Sequence, residues 1–146
     1  ECLGAVGAHL VVKLHPRDDP GGDLDAERIT VLPTSMDVYP VLRHSDVLIT
    51  DYSSVYLDFL LLDRPIVFFP YDIETFTESR PMIFDYERIT PGPKAASVES
   101  LLAALRRTLA GTDDHADRRT TLRDAYFESA GGSASVDLFE RITTGE

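Results

Sequence analysis

Ile49-Thr50-Asp51-Tyr52-Ser53-Ser54-Val55-Tyr56-Leu57-Asp58-Phe59 decides how this chain reads. Residues 47–50 suit a buried strand that stops abruptly. Residues 51–54 form a polar turn. Residues 54–62 are apolar on almost every side, which predicts a buried helix. Strand, turn and helix in that order place hydroxyls and a carboxylate where a helix begins. The first N–H groups of a helix have no partner within it and carry partial positive charge. The run therefore predicts an anion pocket at the carboxyl end of a strand. Open α/β sheets hold their ligands at that end.

Outward from this run, strand-like and helix-like segments alternate, which predicts α/β layering. Residues 9–14 read as a strand closed by His15-Pro16, and 17–25 as a loop rich in Pro, Gly and Asp. Residues 29–32 read as a short strand. Thr34 or Ser35 is placed to cap a helix over 36–43, with Asp37 in its first turn. Residues 66–69 give a further strand, and 82–84 another strand or an extended stretch. Residues 70–95, rich in proline and aromatics, read as an irregular loop. Ser97 caps an amphipathic helix carrying Leu101, Leu102, Leu105 and Leu109, with Gly111 just past its end. Helices over 115–127 and 133–142 follow. The whole predicts one domain, residues 1–146, with a Rossmann-like parallel sheet and helices on both faces.

The 146 residues, 43% hydrophobic, are enough for a core. No apolar run approaches the ~18 residues of a membrane span. Cys2 is the single cysteine, so neither an internal disulfide nor a cysteine metal site is expected, and a reducing cytoplasm fits. The four histidines lack metal-ligand spacing, and no metal or cofactor is expected. The start, Glu1-Cys2-Leu3-Gly4, has no initiator Met and no basic segment. It reads as an excised piece without a signal peptide. A net charge of −11, from 25 acidic and 14 basic residues, disfavours nucleic acid and anionic lipid as partners. A small anion in a local pocket remains compatible with it.

His15 ends a strand before a proline that holds the chain extended. Its imidazole can donate to a diphosphate oxygen, or be an ordinary strand-end histidine. Ser53 and Ser54 can clamp a diphosphate, or cap the helix, for which one serine suffices. Asp51 would repel phosphate, so holding the loop backbone is its expected role. Asp58 interrupts an apolar helix and needs a partner: Ser54, a loop N–H or a basic side chain. Arg80 can pair with phosphate or simply face water. Asp85 can accept from ribose or glycerol hydroxyls. Lys94 reads as a solvated loop residue.

The same residues carry a resemblance. Ile49 to Phe59 is similar to the signature of the CDP-glycerol glycerophosphotransferases, the primases and polymerases of wall teichoic acid. Lys13-Leu14-His15-Pro16 resembles their K-x-H-P element. Asp63-Arg64-Pro65-Ile66-Val67-Phe68-Phe69 resembles the strand after their phosphate-binding helix. Phe84-Asp85-Tyr86-Glu87 and Pro91-Gly92-Pro93 resemble their F-D-x-E and P-G-P elements. The resemblance implies the C-terminal, nucleotide-binding half of a GT-B fold. It implies that His15 is the catalytic and ligand-binding histidine of this half. Pro16, Ser53, Ser54, Val55, Arg80 and Asp85 would contact the donor, with Asp51 and Asp58 supporting the site.

The implied reaction moves a polyol phosphate from a CDP-activated donor to a lipid-linked teichoic acid acceptor, releasing CMP. The acceptor, the membrane and the base would belong to an N-terminal half that this sequence lacks. The isolated chain would then bind nucleotide without turnover. The full-length protein would work at the inner face of the cell membrane. One stretch departs from the family's D-G-x-x-S pattern: Glu128-Ser129-Ala130-Gly131-Gly132-Ser133-Ala134-Ser135 lacks its Asp and its basic residue. That leaves CDP-ribitol or a nucleotide sugar as alternative donors. A non-catalytic nucleotide- or partner-binding domain, or a phosphate-free scaffold, are the readings outside enzymes.

Overall fold

Short aliphatic runs become strands and the segments between them become helices. A computed structural model describes residues 2–5, 7–14, 27–79, 85–127 and 134–145. In chain order the elements are α1 (Cys2–Ala5), β1 (Leu10–Val12), β2 (Ile29–Val31), α2 (Tyr39–Leu42) and β3 (Leu48–Thr50). Then come α3 (Val55–Phe59), a 3₁₀ turn (Leu60–Leu62), β4 (Ile66–Phe68), α4 (Ile73–Ser79) and α5 (Tyr86–Ile89). The chain ends with α6 (Val98–Leu109), α7 (Ala116–Tyr126) and α8 (Ala134–Thr144).

The described strands pair in parallel as two ribbons, β1 with β2 and β3 with β4, rather than as the one sheet expected. Each described strand is three residues long, at the short end of the usual range. β3, α3 and β4 make a βαβ unit, with Leu48 opposite Ile66 and Thr50 opposite Phe68. The Pro91-Gly92-Pro93 segment runs along the other edge of β4. Phe68 N–H donates to Pro93 O at 2.9 Å, and Ala95 N–H to Phe68 O at 2.8 Å. β4 is thus flanked on both edges and buried throughout, which is why an unbroken Ile-Val-Phe run fits there.

The core gathers Leu42, Tyr56, Phe59, Leu60, Ile66, Phe68 and Tyr86. The helix expected over 54–62 splits into α3 and a tighter turn. It is less buried than its composition predicts, because Leu61 is exposed and Leu57 and Leu62 are half-buried. The turn ends on Asp63 in the left-handed region, φ 49°, where the chain reverses into β4. α2 begins at Tyr39, later than predicted. Neither Thr34 nor Ser35 caps it; its N-cap is Val38, and Asp37 Oδ1 accepts from Tyr39 N–H at 3.1 Å. Arg64 closes the other end of this connection, donating to Arg43 O at 3.0 Å and Ser45 O at 2.8 Å.

The segment 70–95 is not irregular throughout. It contains α4 and α5; residues 82–84, expected as a strand or extended stretch, lie outside the described residues. Lys94 is not a solvated loop residue either. Its ammonium sits 3.1 Å from Glu87, donates to Thr90 O at 3.3 Å, and is 19% exposed. α6 is closed by a reciprocal pair in which Ser97 Oγ accepts from Ser100 N–H and Ser100 Oγ from Ser97 N–H. Gly111, φ 88°, ends it.

Arg119 of α7 is 3% exposed and forks onto Asp113 at 2.7 and 2.6 Å, with Asp63 3.6 Å away. These hydrogen bonds and the adjacent positive charge hold the Asp113 carboxyl below its ordinary range. A cleft of about 300 Å³ opens beside this pair, lined by Pro65, Ile66, Ala104, Arg107, Thr108 and His115 among others. Pro65 and Ile66 begin β4, so the cleft lies at the amino end of the parallel strands. Burial first, then Lys94 and Arg118, lowers the His115 pKa below its ordinary 6.5, against the opposing pull of Asp113 and Asp114.

Two outcomes follow for stability. A Cβ on Gly92 would stand 2.0 Å from Ile66 O, a backbone atom of the central strand. Gly92→Ala should therefore destabilise the chain by about 2 kcal/mol or more, read as a lower urea midpoint at unchanged m-value. The His115 site takes up its proton at lower pH in the folded chain than in the unfolded one. Its contribution to stability is full above pH 6.5 and is lost as pH falls through that value toward the folded pKa. Thermal midpoints across this window should flatten in His115→Gln.

Candidate functional site

The Asp51–Ser54 turn leaves β3 at the carboxyl end of the β3–β4 pair. Asp51 folds back on it: Oδ1 accepts from Tyr52 N–H at 2.6 Å and from Ser53 N–H at 3.2 Å. Its carbonyl oxygen accepts from the Tyr86 hydroxyl at 2.9 Å. The turn is thereby tied to α5, which follows it by more than thirty residues. Tyr52 points inward as well. Its hydroxyl donates to Asp72 Oδ1 at 2.8 Å, and its ring stacks on Phe76 of α4 with centroids 4.0 Å apart and planes 11° apart.

An aromatic series continues from there into the core. Tyr52 meets Tyr86 at 5.9 Å, Tyr86 meets Phe68 edge-on at 6.1 Å, and Phe68 meets Tyr56 edge-on at 5.3 Å. Edge-to-face contacts suit the ring quadrupoles and add to the apolar burial. Burial, then the Asp72 bond, raises the Tyr52 pKa strongly. Burial also raises those of Tyr86 and Tyr56, the latter to about 12. All three phenols stay protonated at neutral pH, so the Tyr52 and Tyr86 hydroxyls remain donors to Asp72 and Asp51.

Ser53 and Ser54 stand exposed on this braced turn. Ser54 is the N-cap of α3 but makes no capping bond with its side chain. Ser53 Oγ lies 3.5 Å from Val55 N, the long limit for such a bond. Val55, the first residue of α3, is half-buried and packs on the core. Asp58, one turn further on, is joined among the described residues by a partner that its sequence does not predict. Its carboxylate accepts from the Tyr39 hydroxyl at 2.9 Å and so links α3 to α2. That bond and the negative charge raise the Tyr39 pKa.

Asp85 is exposed and caps α5, accepting from Glu87 N–H at 3.0 Å through Oδ1. It neighbours Tyr86, whose hydroxyl bonds the Asp51 carbonyl of the serine turn. His15, Pro16 and Arg80 lie outside the described residues. Among the described residues, no group of three His, Cys, Asp or Glu can hold a metal ion, and no helix is long and apolar enough to cross a membrane. The sequence assigned no role to Tyr52, Tyr86 or Phe76. Their aromatic identities were visible, but their partners are distant in the chain.

A family model described as CDP-glycerol:poly(glycerophosphate) glycerophosphotransferase matches residues 5–144. The chain belongs to this family. It is 37% identical over 98 residues to a teichoic acid glycerol-phosphate primase of Bacillus spizizenii, covering 66% of this chain and 26% of that protein. A teichoic acid ribitol-phosphate primase of the same organism is 39% identical over 115 residues, covering 77% of this chain and 28% of that protein. The structure of the wall teichoic acid polymerase TagF superposes with a TM-score of 0.69 at 26% identity, covering 99% of this chain and 36% of that one. The chain thus spans roughly a quarter to a third of the length of these relatives.

A single-atom change removes the Tyr86 hydroxyl's tie between α5 and the serine turn. Tyr86→Phe should cost about 1 kcal/mol in denaturant unfolding, since it leaves the Asp51 carbonyl short of a partner. Amide exchange at Tyr52 and Ser53 should accelerate more than in β4.

Proposed function

We propose that this chain is the donor-binding part of a glycerophosphotransferase that moves glycerol phosphate from CDP-glycerol to a teichoic acid acceptor with release of CMP. In fold terms it corresponds to a Rossmann-like half of a GT-B enzyme. One observation carries the reading: Ser53 and Ser54 face solvent on a turn held from within by the Tyr86 bond to the Asp51 carbonyl and the Tyr52 bond to Asp72. Family membership supplies the ligand class.

In this reaction an acceptor hydroxyl attacks the β-phosphorus of the donor. The new P–O bond forms as the bond from that phosphorus to the bridging oxygen breaks. CMP leaves with the bridging oxygen, and the hydroxyl proton passes to a base. The serine hydroxyls donate to the diphosphate oxygens, where negative charge grows on the departing CMP. Such donors are most useful when already positioned, because no reorganisation is then needed as charge develops. The Tyr86 and Asp72 ties supply that positioning. His15 is assigned to the same diphosphate as a further donor. Asp51 has its carboxylate occupied by the backbone N–H groups of Tyr52 and Ser53, and its role is to hold the turn.

The acceptor is lipid-linked and the reaction sits at the inner face of the membrane; both belong to the whole enzyme. A ribitol donor is the second reading. It is favoured by the ribitol-phosphate primase, whose identity of 39% matches the 37% of the glycerol-phosphate primase.

Calorimetric titration with CDP, UDP and GDP tests the reading. CDP should bind most tightly. Ser53→Ala/Ser54→Ala should weaken it on the order of tenfold to a hundredfold, the effect of removing charge-assisted bonds, with thermal unfolding unchanged. Equal affinity in the double variant would count against a diphosphate at these serines. Competition of CDP-glycerol with CDP-ribitol separates the two donors.

A further inference from the structure

Tyr71 stands apart from the other aromatic side chains near the serine turn. Tyr52, Tyr56 and Tyr86 are buried or half-buried, whereas Tyr71 is 65% exposed. It follows β4 directly, at the same carboxyl end from which the serine turn leaves β3. Two ties hold its loop against that turn, one on each side of it in the chain. Phe69 N–H donates to Thr50 O at 2.8 Å, and Asp72 accepts from the Tyr52 hydroxyl at 2.8 Å. Tyr71 lies between these anchors.

Its own placement is also constrained. Pro70 before it is buried. Its N–H donates to Phe69 O at 3.0 Å, and its ring leans on the Phe69 ring at 5.3 Å with a 40° tilt. A large ring exposed to water costs solvation free energy unless something covers it. Tyr39, also strongly exposed, has its hydroxyl engaged by Asp58. A planar, uncharged, π-bearing partner suits the face of Tyr71, and a nucleobase is such a partner.

We infer that Tyr71 is the stacking platform for the nucleobase of the nucleoside-diphosphate donor whose diphosphate meets Ser53 and Ser54. This rests on the donor-binding reading above. The contact is sequence-tolerant, because every base has a π-face. Tyr71 therefore contributes affinity for the nucleoside, while selection among bases falls to other groups.

The test uses the full chain with two probes, CDP and inorganic pyrophosphate, which lacks a base. Tyr71→Ala should weaken CDP binding about tenfold and leave pyrophosphate binding unchanged. Ser53→Ala/Ser54→Ala should weaken both. The chain contains no tryptophan, so Tyr71→Trp installs a single indole reporter. That variant should retain CDP affinity, with emission quenched by CDP and not by pyrophosphate. Unchanged CDP binding in Tyr71→Ala, equal losses for both probes, or an indole indifferent to CDP would overturn the inference while leaving the serine site standing. Failure of the unmodified chain to bind either probe would overturn the donor-site reading and this inference with it.

Discussion

The bond from the Tyr86 hydroxyl to the Asp51 carbonyl is the constraint on which the site depends. It joins a short helix late in the chain to the turn that leaves β3. Tyr86 itself is held by burial against Phe68, and Phe68 lies on the central strand. The same strand is bordered by Pro91-Gly92-Pro93, where Gly92 comes too close to Ile66 to carry a side chain. Core, edge segment and serine turn are therefore one mechanical unit. Loosening any of them relaxes the position of Ser53 and Ser54.

The two ends of the β3–β4 pair have different characters. The carboxyl end presents exposed hydroxyls on a turn braced by Tyr86 and by Tyr52 with Asp72. The amino end holds a cleft of about 300 Å³, but the charges there are largely committed to one another. Arg119 forks onto Asp113, and Arg107 pairs with Asp114 at 2.9 Å. A cleft alone would favour the amino end. Chemistry favours the other, because a diphosphate needs donors that are not already spent on carboxylates.

Much of this was legible in the sequence. The strand–turn–helix at Ile49 to Phe59, the all-apolar strand at Ile66 to Phe68 and the Ser97 cap of α6 rest on local patterns, and each formed where expected. Features set by distant partners were not legible. α4 carries two threonines, Thr75 and Thr77, and the Tyr52–Phe76 stack packs it against the serine turn. Asp58 bonds a tyrosine nineteen positions away, and Lys94 folds back on Glu87. The pairing of the described strands as two ribbons is likewise set by partners distant in the chain. Of the candidate site, the serine turn and Asp85 could be placed on elements, while the brace that orders them came from aromatic residues whose role no spacing announces.

A structure of the chain with CDP bound tests the central claim most directly. The account predicts the diphosphate against the hydroxyls of Ser53 and Ser54 at the carboxyl end of β3, with the Tyr86–Asp51 bond intact. A diphosphate seated instead in the cleft by Arg107 and His115, at the amino end of β4, would contradict it.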